Sequence, residues 1–248
     1  MPGAAVLATG AALKSGCGLV TLHSTAYACQ ISAVANPSAI LSIDSSSYFS
    51  QMDFNLSKYN AVGIGPGLGK EGRTVTAFKS LLAQLKEAGI PAVLDADALN
   101  IIAEDKSLLD IIPAGSIMTP HDGELARLCT PWMSDDEKIA MAQYLAEASG
   151  CVIVSKGYHT RVFFPDKTEY YVNDTGNPGM AKGGSGDVLT GLITGLMARG
   201  YSAEDAATMG VWIHGYAGDC CTEEYGAEAY SSKDLIDSLY KGFKVLDR

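Results

Sequence analysis

The sequence predicts an α/β fold with a mainly parallel sheet covered by helices on both faces. Three observations predict it. Short, β-branched or apolar runs alternate with helix-length segments along most of the chain. No internal repeat, low-complexity tract or linker interrupts that alternation. And 248 residues, 47% hydrophobic and 19% charged, suffice for one large domain with a well-buried core.

The chain opens on an apolar run, residues 4–12, within a segment 4–15 that reads as a buried helix. No basic residue precedes the run and Lys14 follows it, which is not the pattern of a signal peptide. A doubly wound sheet usually opens on a strand. The helix-first start therefore leads us to expect a single domain over residues 1–248 that lacks its first strand. Strands are expected at 19–22, 39–43, 61–64, 92–95, 116–119 and 151–155. Helices at 73–88, 98–104 and 135–148 lie between them. Runs 161–164 and 170–172 flank the turn Pro165-Asp166-Lys167 and read as an antiparallel hairpin late in the sheet. Beyond Gly183 the chain turns helical over 187–199, 203–221 and 232–246.

Bulk chemistry narrows the partners. A net charge of −10 repels nucleic-acid backbones and anionic membranes, so neither is expected as a partner. A phosphate ligand must then be held by backbone N–H groups and a few placed cations. None of the six cysteines stands in a C-x-x-C or C-x-x-H pair, so they read as reduced, mostly buried thiols of a cytoplasmic protein. No segment reaches the roughly 20 apolar residues a membrane span needs.

The segment richest in chemistry is Asn177-Pro178-Gly179-Met180-Ala181-Lys182-Gly183-Gly184-Ser185-Gly186-Asp187-Val188-Leu189-Thr190-Gly191. It is a glycine-rich loop that runs straight into an apolar helix. Glycine lets the backbone approach a ligand closely. The helix start leaves unpaired N–H groups with a partial positive charge. Gly183, Gly184, Ser185 and Gly186 thus form a candidate anion hole for a phosphoryl group in flight. Asp187, in the first turn, is the candidate catalytic base for a substrate hydroxyl. No Lys-Ser or Lys-Thr follows the last glycine, so this is not a P-loop.

Other motifs sit where an open parallel sheet places its ligands, beyond the carboxyl ends of strands. Gly63-Ile64-Gly65-Pro66-Gly67-Leu68-Gly69 follows one strand. Leu94-Asp95-Ala96-Asp97 ends another. Asp95 is a candidate site residue, and Asp97 either faces the same mouth or caps the following helix. Thr119-Pro120-His121-Asp122-Gly123-Glu124 opens a helix, with Asp122 read as a solvated side chain. Lys156-Gly157-Tyr158-His159-Thr160 follows a further strand. Met197 and Met209 read as core filler, Trp212 and His214 as packing residues, and Lys182 is given no fixed role.

Together with Pro2-Gly3-Ala4-Ala5, these motifs come in an order that resembles the ADP/ATP-dependent NAD(P)H-hydrate dehydratases of the ribokinase-like superfamily. The resemblance covers nearly the whole chain. It implies a ribokinase-like three-layer sandwich. It also implies a hydro-lyase of metabolite repair, which returns 6-hydroxylated NADH or NADPH to the reduced cofactor through a phosphorylated intermediate. ATP or ADP is the implied donor, with Mg²⁺ held by Glu124, directly or through water. Ala4, Gly65, Gly67, Asp95, His121, Asn177 and Asp187 are the implied contacts to NADH-hydrate or NADPH-hydrate. Lys156, Gly157, Tyr158, His159, Thr160 and Gly186 are the implied contacts to the adenine nucleotide. A homo-oligomer is expected. Two alternatives stay open on the sequence: a small-molecule alcohol kinase of the same fold, and a non-catalytic nucleotide-binding fragment. His121, standing where related kinases carry Asn, speaks against the kinase.

Overall fold

A computed structural model describes residues 1–50 and 55–247. Its main sheet has six strands in sequence order: β3 (Val62–Ile64), β4 (Ala92–Leu94), β5 (Ile117–Met118), β6 (Val152–Ser155), β7 (Arg161–Phe163) and β8 (Tyr171–Val172). The first four run parallel, and β7 and β8 return antiparallel. The late hairpin expected from the sequence is therefore present.

Strand alternation explains the two layers of core. Ala92, Leu94, Met118, Ile153 and Phe163 face one side. Val93, Ile117, Val152, Val154 and Val162, one residue out of phase, face the other. The first set packs on α3 (Gly72–Ala88), α4 (Ala96–Glu104), α5 (Asp122–Leu128) and α6 (Asp135–Ser149). The second packs on α7 (Ser185–Ala198), α8 (Ala203–Tyr225) and α9 (Ser232–Leu246). Helix α3 shows why such segments form. Thr74, Ala77, Phe78, Leu81, Leu82 and Leu85 recur at helical spacing on its buried face, and Gly89 ends it in the left-handed conformation at φ 66°.

Helix α1 (Pro2–Lys14) lies on α7 at close range. A Cβ at Gly191 would stand 2.0 Å from the Ala8 carbonyl oxygen, so glycine is required at that crossing. Two features depart from the sequence reading. Strands β1 (Thr21–Ser24) and β2 (Ile40–Ile43) form a separate two-stranded parallel sheet instead of joining the main one. Between them lies α2 (Ala26–Ala35), a helix the pattern did not announce. It buries only Ala28, Cys29 and Ser32, a stripe too narrow and too small to register as apolar periodicity. The cysteines are free, as expected. Among the described residues no helix is long and apolar enough to cross a membrane.

Candidate active site

The site lies at the carboxyl ends of β4, β5 and β6, where the amino end of α7 meets them. Backbone pairing continues past β5 and β6 as a parallel bridge between His121 and Lys156, with the Lys156 N–H donating to the Pro120 carbonyl at 2.9 Å. That ladder sets the two residues side by side.

Asp95 follows β4 and is 2% exposed. It occupies the N-cap position of α4 but makes no side-chain cap bond. Its carboxylate turns into the site instead. Oδ1 lies 2.6 Å from Lys156 Nζ, and Oδ2 accepts the Thr190 hydroxyl at 2.7 Å. The ammonium thus points inward, away from the turn formed by residues 157–160, where Thr160 Oγ1 donates to the Gly157 carbonyl. Tyr158 in that turn is 83% exposed and tilts against the His159 ring at 3.9 Å. The sequence grouped Lys156 with its four neighbours; the fold separates it from them.

The glycine loop is open, not plugged by core. Gly183 is exposed, and Gly184, Ser185, Gly186 and Asp187 are half-buried. Gly184 is the N-cap of α7 at φ 94°, with no side chain to cap the helix. A Cβ there would meet Leu7 Cδ1 at 2.4 Å and Ser232 Oγ at 2.9 Å. The Ser232 hydroxyl in turn donates to the Gly183 carbonyl at 2.8 Å. His214, buried in α8, lies 3.0 Å from the Ser185 carbonyl through Nε2. Burial first, and then the Lys156 charge, push its pKa down to about 4, so it is neutral and donates that bond. At the opening of α7 the Ser185 N–H donates to the Lys182 carbonyl at 3.3 Å, while the Gly186 and Asp187 N–H groups have no preceding-turn carbonyl.

Asp187 stands in that turn. Burial pushes its carboxyl up to about 6, and the neighbouring charge of Asp95 adds to the rise. Lys156 and the Met1 amine oppose it. A carboxylate poised near neutrality, at a helix start lined with amides, suits proton abstraction from a hydroxyl.

His121 and Glu124 form a capping box at the start of α5. His121 Nδ1 accepts the Gly123 N–H at 2.9 Å and the Glu124 N–H at 3.3 Å, and a Glu124 oxygen accepts the His121 N–H at 2.8 Å. With Nδ1 accepting, the ring proton sits on Nε2. The ring is 55% exposed and its Nε2 edge is 3.4 Å from the second Glu124 oxygen. Glu124 is buried, 3.8 Å from Lys156 Nζ. Among the described residues no three acidic, His or Cys side chains converge as a metal cage. One buried carboxylate beside a phosphate site fits an ion that keeps its water and takes most ligands from phosphate oxygens.

Other predicted residues make the following contacts within the fold. Gly65 has φ 127°, and a Cβ there would stand 1.7 Å from the Asp95 carbonyl oxygen. A Cβ at Gly67 would crowd the Met1 backbone at 2.3 Å. Asp97 does not cap α4; its carboxylate accepts the Gly69 N–H at 2.8 Å and pins the loop after β3. Ala4 is buried in α1. The Asn177 amide makes hydrogen bonds within the protein through both its nitrogen and its oxygen. It donates to Asp219 at 2.8 Å, while its oxygen accepts the Gly179 N–H and the Thr222 hydroxyl. Lys182 donates to the Glu228 and Tyr230 carbonyls and lies over the Tyr230 ring. Asp122 is solvent-exposed, as read from the sequence, and pairs with Lys138 at 2.6 Å. Sequence reasoning missed Thr190 and Asp219. Thr190 had a signal: a hydroxyl on the apolar helix, three residues past Asp187 on the same face.

Next to the site, among the described residues, lies a cavity of about 890 Å³. It is bounded by α1, the inner edges of β1 and β3, and α7, and it reaches Gly65, Gly67 and Thr190. Asp187 does not line it.

A sequence profile described as NAD(P)H-hydrate dehydratase matches residues 1–241. A bifunctional NAD(P)H-hydrate repair enzyme from Moorella thermoacetica is 37% identical over 96% of this chain and 46% of its own length. An ADP-dependent (S)-NAD(P)H-hydrate dehydratase from Neisseria meningitidis is 36% identical over 92% of this chain and 76% of its own. The chain thus spans about half the length of the bifunctional relatives and three quarters of the second enzyme. A Bacillus subtilis ADP/ATP-dependent NAD(P)H-hydrate dehydratase, co-crystallised with ATP and Mg²⁺, superposes with a TM-score of 0.82 at 29% identity. That match covers 99% of this chain and 85% of the other.

Proposed function

Because this chain belongs to the NAD(P)H-hydrate dehydratase family, we propose that it converts hydrated NADH or NADPH back to the reduced cofactor at the expense of ATP or ADP. The carrying observation is Asp187: a carboxyl raised to about 6, in the first turn of a helix that opens on an amide-lined glycine loop.

The chemistry follows from the leaving group. Hydroxide departs poorly from carbon, whereas phosphate departs readily. Asp187 takes the proton from the substrate hydroxyl as its oxygen bonds to the terminal phosphorus of the nucleotide. The bond from that phosphorus to the shorter nucleotide breaks. N–H groups of residues 183–186 hold the phosphoryl oxygens through the transfer. Lys156, beside Gly186, adds positive charge at the same place; a Cβ on Gly186 would lie 3.5 Å from its Nζ. Phosphate then leaves carbon 6, the adjacent ring carbon loses a proton, and the ring double bond is restored. Glu124 is the residue that would hold Mg²⁺ through water, and the ion would supply charge neutralisation at the phosphates.

The test is to mix protein, nucleotide, Mg²⁺ and hydrated NADH and follow the return of the reduced-nicotinamide absorbance. Asp187→Asn should lower that rate by at least ~100-fold. A phosphorylated product that persists with a simple alcohol, and no regenerated cofactor, would make the protein a kinase instead.

A further inference from the structure

Thr190 has no part in the chemistry so far, yet it touches the groups that do. It is 1% exposed, on the face of α7 that carries Gly186 and Asp187. Its single hydroxyl proton has two acceptors in reach, Asp95 Oδ2 at 2.7 Å and the Gly186 carbonyl at 3.1 Å. The shorter contact, to an ionised carboxylate, is the stronger. Asp95 in turn holds Lys156 at 2.6 Å with its other oxygen. The pair lies directly over the loop: a Cβ on Gly186 would be 3.5 Å from Lys156 Nζ and 3.8 Å from Asp95 Oδ2.

We propose that Thr190 is a positioning residue for phosphoryl transfer: it occupies Asp95 Oδ2 so that the carboxylate offers Lys156 one oxygen only, which keeps the ammonium aimed at Gly186. This rests on the reading of the site as one that transfers a phosphoryl group. Without the hydroxyl, Oδ2 is a buried acceptor with no donor. The nearest compensating donor is the ammonium itself. It is drawn down onto the carboxylate and away from the loop. Thr190 touches neither substrate nor nucleotide in this scheme. Its loss should therefore weaken the transfer step and spare nucleotide binding.

The experiment compares Thr190→Val, which keeps the shape and removes the donor, with Thr190→Ser, which keeps the donor. Thr190→Val should lower kcat for cofactor regeneration by about 10-fold, with the nucleotide KM within about twofold of wild type. Thr190→Ser should restore kcat to within about twofold. Wild-type kcat in Thr190→Val, or Thr190→Ser no better than Thr190→Val, overturns the proposal. Should the wild-type protein regenerate no NADH, the functional reading fails by itself, and crystal structures of the two variants decide the role of Thr190. Lys156 displaced from Gly186 in Thr190→Val but not in Thr190→Ser supports it. An unmoved Lys156 in both overturns it.

Discussion

Asp187→Asn should do two opposite things at once: remove turnover and raise stability at neutral and alkaline pH. In the folded protein the Asp187 carboxyl is raised from 3.8 to about 6, first by burial and then by the charge of Asp95. In the unfolded chain it returns to its ordinary value. Between pH 4 and pH 6 the folded state therefore holds a proton that the unfolded state has released, and stability contributed by this group falls as pH rises. Above pH 6 the loss is complete. At ~1.4 kcal/mol per pKa unit, a rise of about 2 units corresponds to a loss of about 3 kcal/mol at most. Asparagine fills nearly the same volume and has no charge to desolvate. Urea unfolding of both proteins at pH 4 and at pH 8 reads the effect directly. The variant should gain on the wild type by ~1–3 kcal/mol between the two pH values. A stability difference that is the same at both would show that the folded carboxyl is not raised, and the claim that it is poised as a base near neutrality would fall with it.

Three more outcomes follow from the same geometry. Asp95→Asn removes the charge that helps raise Asp187, so the acidic limb of the pH–rate profile should move to lower pH. The variant should also lose about 3 kcal/mol of stability, because Lys156 loses its closer carboxylate and keeps only Glu124 at 3.8 Å; an unmoved limb would refute the coupling. Gly184→Ala should lower stability by ~1–3 kcal/mol and disable the loop, since φ 94° and the contact with Leu7 leave no room for a methyl group; an unchanged melting temperature would contradict this. His214 is held neutral in the fold, with a pKa near 4 against 6.5 when exposed, so it withdraws stability as pH falls from 6.5 toward 4. His214→Gln keeps a donor for the Ser185 carbonyl but cannot titrate. Its stability should fall less steeply over that range than the wild type's, a difference calorimetry would detect.

Local rules decided much of this protein in one dimension. Short β-branched or apolar runs identified β3 to β8, and helix-length segments between and after them identified α3, α6, α8 and α9, with boundaries that shifted by only a few residues. Glycine, serine and aspartate at a helix start identified the loop at 183–187, because the amides of a helix terminus are a property of the local backbone. Tertiary structure alone decided which side chains face each other. Asp95, Lys156 and Thr190 lie up to 95 positions apart, and each looks ordinary in its own segment. They meet because β4, β6 and α7 converge at one end of the sheet. The raised pKa of Asp187 belongs to that convergence too: burial and a neighbouring charge are sums over space, and no window of sequence contains them. The same holds for glycines 65, 67 and 184. A turn could be foreseen at each, but the neighbours that forbid a Cβ come from Asp95, Met1, Leu7 and Ser232 across the fold.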